Sequence, residues 1–160
     1  MDVHVAEGAR GLPWFADGLR FHCTGCGKCC TGAASSVELT SADLERLAAF
    51  FEMAPGVFAK KYTRLKQGRR RLIDAPGSTD CVFLKDKACS VYAARPTQCR
   101  TYPWWLMNLR DPESWAEAAK ECEGIEYPGA ALVPLSEIAE QCAIDEANEA
   151  TLQQEWLSQR

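Results

Sequence analysis

Histidine is nearly missing from this 160-residue chain: His4 and His22 are the only two. That scarcity argues against a histidine-built catalytic zinc or non-haem iron site, which draws on several imidazoles. No apolar run approaches the roughly twenty residues that span a bilayer, so membrane association is not expected. The opening Met1-Asp2-Val3-His4-Val5-Ala6-Glu7 has neither a basic start nor an apolar stretch, unlike a secretory leader. The expected compartment is the cytoplasm. A basic excess is missing as well, with a formal net charge of -4, and residues 81–160 carry 7 basic against 13 acidic side chains. Nucleic-acid modules need a face basic enough to neutralise phosphates. Only Arg69-Arg70-Arg71, near Lys60, Lys61 and Lys66, could supply one, so nucleic acid is not an expected partner. There is also no GxGxxG loop for a nucleotide-like cofactor.

Cysteine is what the chain has instead. Nine residues are too few for a disulfide-built miniprotein and odd in number. In a reducing compartment, clustered thiols are most economically metal ligands. Four of them fall in Phe21-His22-Cys23-Thr24-Gly25-Cys26-Gly27-Lys28-Cys29-Cys30. A CxxC step brings two sulfurs to one side of a tight loop, and the next step adds a third. Gly25 and Gly27 supply the positive φ that such a loop requires and let backbone amides point at the sulfurs. If the backbone is extended there, adjacent Cys29 and Cys30 point to opposite sides, which implies two metal sites, or one ligand and one supporting thiol. The run resembles the ligand run of iron–sulfur ferredoxins, without their following proline.

Further along, Thr31 to Ser36 reads as a loop. Thr40, with Asp43 three residues later, caps a helix through Leu44, Leu47, Ala48 and Phe51. A second helix, Val57 to Tyr62, puts Phe58 and Tyr62 on one face. Gln67-Gly68 turns into a short strand at Arg69 to Asp74. Cys81-Val82-Phe83-Leu84-Lys85-Asp86-Lys87-Ala88-Cys89 predicts a hairpin. With Lys85 to Lys87 as its loop, Leu84 pairs with Ala88 and Phe83 with Cys89, setting Cys81 and Cys89 diagonally on one face. Pro96 opens a helical turn that carries Cys99 between Arg95 and Arg100 and that Pro103 closes. Guanidinium groups there would offset the negative charge of a thiolate-bound centre. Asp111-Pro112-Glu113 starts a helix to Glu121 that ends beside Cys122, with Gly124 as its stop. A final helix runs roughly from 134 to 158, and its Cys142 is expected in the core. Trp14 and Phe15 anchor the entry segment.

Setting Cys142 aside leaves Cys23, Cys26, Cys29, Cys30, Cys81, Cys89, Cys99 and Cys122, enough for two tetrathiolate sets. Sequence does not say which four go together. The expected fold is α+β, mostly helical: one metal-thiolate domain over 1–160 with a short β-hairpin and irregular cysteine-bearing loops. The runs CTGCGKCC, CVFL and CSVYAARPTQCRTYPWW, followed by a cysteine before a glycine, resemble the CxxCxxCC family of zinc- or iron-chelating domains, the YkgJ-like cysteine-cluster proteins. The resemblance covers roughly residues 21–124. It implies a bacterial-type cytosolic domain with a thiolate-bound metal, often an iron–sulfur cluster. Larger relatives include flagellin lysine methylases, but nothing in this chain carries that activity across. The expected cofactor is therefore one or two 4Fe–4S clusters, with Arg95 and Arg100 beside them, serving electron transfer or a partner protein. Two alternatives remain: a Zn2+-stabilised adaptor domain, and a metalloenzyme with one open coordination position.

Overall fold

A computed structural model describes residues 4–32 and 36–159; Met1 to Val3, Arg160, and part of the expected 31–36 loop (Ala33 to Ser35) lie outside the described residues. The fold is α+β and mostly helical. In chain order it comprises β1 (Leu19–Arg20), α1 (Ser41–Phe50), α2 (Pro55–Tyr62), β2 (Thr63–Lys66), β3 (Arg69–Leu72), β4 (Leu84–Lys85), β5 (Ala88–Cys89), α3 (Thr97–Thr101), α4 (Leu106–Leu109), α5 (Pro112–Glu121), β6 (Leu132–Val133) and α6 (Leu135–Ser158). All three sheets are two-stranded and antiparallel: β1 with β6, β2 with β3, β4 with β5. The chain gathers into two compact units. One comprises residues 1–24 and 101–145, the other 25–100 and 146–160. No helix among the described residues is long and apolar enough to cross a membrane.

The first unit is built on tryptophan. Trp104 and Trp115 stack with centroids 5.5 Å apart, and Phe21 meets Trp104 edge-on. Phe15, Leu19, Leu109, Ile125 and Ile138 complete this core. The entry segment is anchored as expected, with Phe15 buried and Trp14 Nε1 donating to the Leu109 carbonyl at 2.8 Å. Asp111 caps α5 by accepting from the Ser114 amide, and Pro112 takes the first helical position. Gly124 does not act as a left-handed helix stop, because Cys122 ends the helix in an extended conformation. Its smallness serves another purpose. The His22 amide donates to the Gly124 carbonyl at 2.9 Å, and a Cβ on Gly124 would stand 2.4 Å from the His22 carbonyl oxygen.

The second unit packs α1 and α2 against the two hairpins. Thr40 and Asp43 form a reciprocal capping box at the start of α1. Phe51, Phe58, Tyr62 and Phe83 lie ring against ring, with centroid separations of 5.0 to 6.2 Å. Leu47 and Phe58 are fully buried beside them. The expected strand at Arg69 pairs with β2, a strand the helical pattern of the preceding residues conceals. Within the arginine run, Arg69 pairs with Glu38 and Glu149, Arg71 with Glu38, and Arg70 donates to Thr63. The hairpin register differs by one residue from expectation. Leu84 faces Cys89 and Lys85 faces Ala88, because the turn needs only two residues, Asp86 and Lys87, at φ 49° and 63°. Paired positive φ values match the right-handed twist of hairpin strands.

Candidate metal centre

The site forms inside the second unit, where three short segments meet. The first is the cysteine loop. Gly27 adopts φ 70° and starts a single 3₁₀ turn, Lys28–Cys30. A Cβ on Gly27 would stand 2.5 Å from the Lys87 carbonyl oxygen and 2.8 Å from Leu84 Cδ1. The loop therefore sits directly on the β4–β5 hairpin, and only glycine permits that approach. The second segment holds Cys81, whose amide donates to the Cys30 carbonyl at 2.7 Å. Asp80, next to it, accepts from the Gly32 amide at 3.0 Å. Cys89 on β5 is the third contributor.

Cys30 is the hub. Its buried thiol lies within the electrostatic reach of the Cys29, Cys81 and Cys89 thiols. Cys29 and Cys30 do not point apart, because the backbone between them is a tight helical turn and not an extended strand. Interaction with these three thiols, and burial besides, pushes Cys30 well above the ordinary thiol range. The same interactions lower the others: Cys29 to about 7, Cys89 to about 6, and Cys81 in the same direction. The Arg95 guanidinium adds a favourable field at Cys29 and Cys89. Cys99 on α3 lies in the same field, its thiol raised first by burial and then by the negative charge of Cys81, Cys29 and Cys89. Among the described residues, no three His, Cys, Asp or Glu side chains stand as a ready-made cage for an ion.

Arg95 is held in an unusual way. Its guanidinium lies 3.5 Å from the centroid of the Tyr92 ring. Its Nε is buried without a hydrogen-bond partner, a donor left over beside a group of thiolates. This donor set fits a thiophilic metal, since deprotonated sulfur is the preferred ligand of zinc and of iron–sulfur centres. A charged N–H in the surrounding shell is what stabilises thiolate ligation. Arg100, at the other end of α3, is exposed.

The remaining cysteines are placed differently. Cys26 is half-buried on the loop of the same unit. Cys23 and Cys122 belong to the first unit, where Phe21 bridges Ile125 and Thr24 Oγ1 donates to Glu123 at 2.9 Å, drawing their two segments alongside each other. Cys142 is half-buried on α6, with its thiol donating to the Trp104 carbonyl at 3.3 Å. His22 is exposed, its ring 5.8 Å from that of Tyr127. Two contributors escaped sequence reasoning. Gly27 was legible as a turn glycine but not as the floor on which the hairpin rests. Tyr92 stands in the CSVYAARPTQC run, but nothing in that run marks its ring as the platform under Arg95.

Thiols carried on separate short segments of a small mixed fold are the kind of donor set that chelates zinc or iron. The chain belongs to the CxxCxxCC family, described as "Putative zinc- or iron-chelating domain", whose model matches residues 22–123. A similar protein from Methanocaldococcus jannaschii, described as uncharacterized, is 30% identical over 92 residues, 56% of this chain and 48% of its own length. The chain thus spans about half the length of that curated relative. No solved structure matches it.

Proposed function

We propose that Cys29, Cys30, Cys81 and Cys89 are the four ligands of one metal centre that fastens the second unit together. What supports this reading is that the Cys81 amide donates to the Cys30 carbonyl at 2.7 Å and Gly27 seats the cysteine loop on the hairpin that carries Cys89, so that the Cys29, Cys81 and Cys89 thiols all act on Cys30. With metal–sulfur bonds near 2.3 Å, neighbouring sulfurs of a tetrahedral site stand about 3.8 Å apart. Since no three of these side chains stand as a ready-made cage among the described residues, binding a single zinc or iron ion would draw the four sulfurs together to that spacing. Bound there, the metal would replace thiol protons with bonds and tie the cysteine loop to the hairpin and to Cys81.

A second reading is an iron–sulfur cluster serving electron transfer or a partner protein. Cys99 favours it by offering a further sulfur in the same charged neighbourhood, as does Arg95, whose spare N–H suits a more strongly negative centre. Iron, zinc and acid-labile sulfide per chain after oxygen-free isolation, with spectra before and after dithionite, test both. One zinc or iron per chain without sulfide supports the single ion. Sulfide with visible absorbance that bleaches on reduction supports the cluster. Folded protein holding neither metal overturns both.

A further inference from the structure

Asp43 has a place in the fold that helix capping does not exhaust. Its side chain is fully buried, at 0% exposure. One oxygen accepts from the Thr40 amide at 3.3 Å, completing the capping box. The other accepts from the Thr97 amide and the Thr97 hydroxyl, both at 2.9 Å, and from Arg46 Nη2. Arg46 Nη2 donates as well to the Arg95 carbonyl at 3.1 Å. Thus one carboxylate and its arginine seize the backbone on both sides of Pro96. That tripeptide carries the guanidinium beside the thiols at one end and launches α3, with Cys99, at the other.

A cap alone would be satisfied by Thr40 and Asp43 exchanging bonds across the first turn of α1. Burying a carboxylate is costly unless its oxygens are bonded, and here two of the four donors, the Thr97 amide and hydroxyl, come from the segment that carries Arg95 and leads into Cys99. We propose that Asp43 is a positioning residue for that centre: with Arg46 and Thr97 it holds Arg95 and Cys99 against the thiol group. This rests on the reading of the cluster as a metal site. Asp43 acts on the centre only through residues 95–97, directly at the Thr97 amide and hydroxyl and by way of Arg46 at the Arg95 carbonyl.

The probe is Co2+ alone, titrated into the reduced full-length protein, with thiolate-to-cobalt and ligand-field absorption recorded beside urea unfolding. Asp43→Asn and Thr97→Val are compared with two cap-only changes, Thr40→Ala and Asp111→Ala. Asp43→Asn should weaken Co2+ binding by about tenfold to a hundredfold, as loss of a supporting shell does, and should displace the ligand-field bands. Thr97→Val should act in the same direction and more weakly. Thr40→Ala and Asp111→Ala should lower the urea midpoint while leaving affinity and spectrum unchanged. Equal spectral effects from the cap-only variants, or wild-type bands and affinity in both Asp43→Asn and Thr97→Val, would overturn the proposal. If wild-type protein shows no cobalt–thiolate bands, the metal reading fails separately. Cys99 reactivity toward an uncharged disulfide then decides: faster reaction in Asp43→Asn and Thr97→Val than in Thr40→Ala supports positioning, and equal rates refute it.

Discussion

At Gly27 two constraints fall on one α-carbon. Its φ of 70° is a conformation L side chains adopt at a cost, and its missing Cβ makes room for the Lys87 carbonyl. Gly25 shares the first constraint without the second, having φ 71° and open space around it. Gly25→Ala should therefore cost only the left-handed strain, about 1 kcal/mol, whereas Gly27→Ala should cost at least about 2 kcal/mol by also lifting the loop off the hairpin. Urea midpoints of the two variants compare them directly, and equal losses would contradict the docking role. The thiols set a pH dependence at the same scale. Cys29 and Cys89 have folded pKa values of about 7 and about 6, below the ordinary 9.0. Their contribution to stability is therefore full above pH 9 and is lost as pH falls through 7 and then 6. Cys30, raised, has the opposite sign and favours the fold below pH 9. Metal binding needs the thiolates, so Co2+ affinity should fall as pH drops through 7, where Cys29 takes a proton, and more steeply through 6, where Cys89 does. Affinity unchanged between pH 8 and pH 5 would contradict ligation by Cys29 and Cys89. Asp43 also shows what is hidden at this scale. Its capping box was legible from Thr40 and Asp43, and that complete local explanation masked its bonds to Thr97.

Among the elements, those with strong local signals were legible. The cap at Thr40, the Asp111-Pro112-Glu113 start of α5 and the long periodic α6 form because their reasons lie within a few residues of each other. The β1–β6 pair was not legible, since each strand is two residues long and no turn joins Leu19 to Val133. The β4–β5 hairpin was legible in place but not in register. Asp86-Lys87 lacks the glycine that usually announces a two-residue turn, so a three-residue loop was the natural reading. The same fact yields a prediction. Lys87 holds φ 63° without being glycine, so Lys87→Gly should relieve strain and stabilise the protein by about 1 kcal/mol. A higher urea midpoint with unchanged metal retention would bear this out; a lower one would show that the lysine side chain matters more than its backbone.

For the molecule as a whole, the two units differ in what holds them. The first has stacked tryptophans and an apolar core, with Trp104, Leu109, Trp115 and Ile138 buried. In the second, Cys30 and Cys81 are themselves core residues, packed with Val37, Leu72, Phe83 and Val91. Removing a metal from that cluster should loosen the second unit first. Limited proteolysis after chelation should cut within residues 25–100, while the near-ultraviolet signature of the Trp104–Trp115 stack persists. Cleavage spread evenly through both units would argue against a metal fastener there. The cysteine positions needed to imagine such a fastener were all visible in the sequence. Their grouping was not, because it depends on a 3₁₀ turn and a hairpin register that only packing fixes.

X-ray absorption at the metal edge of protein isolated without oxygen reads the ligand set most directly. The expected spectrum shows sulfur alone in the inner shell, with four scatterers per metal, and Cys30→Ser and Cys81→Ser should each remove the metal or replace a sulfur with oxygen. A shell of nitrogen and oxygen, or a sulfur shell untouched by either substitution, would contradict a centre built on Cys29, Cys30, Cys81 and Cys89.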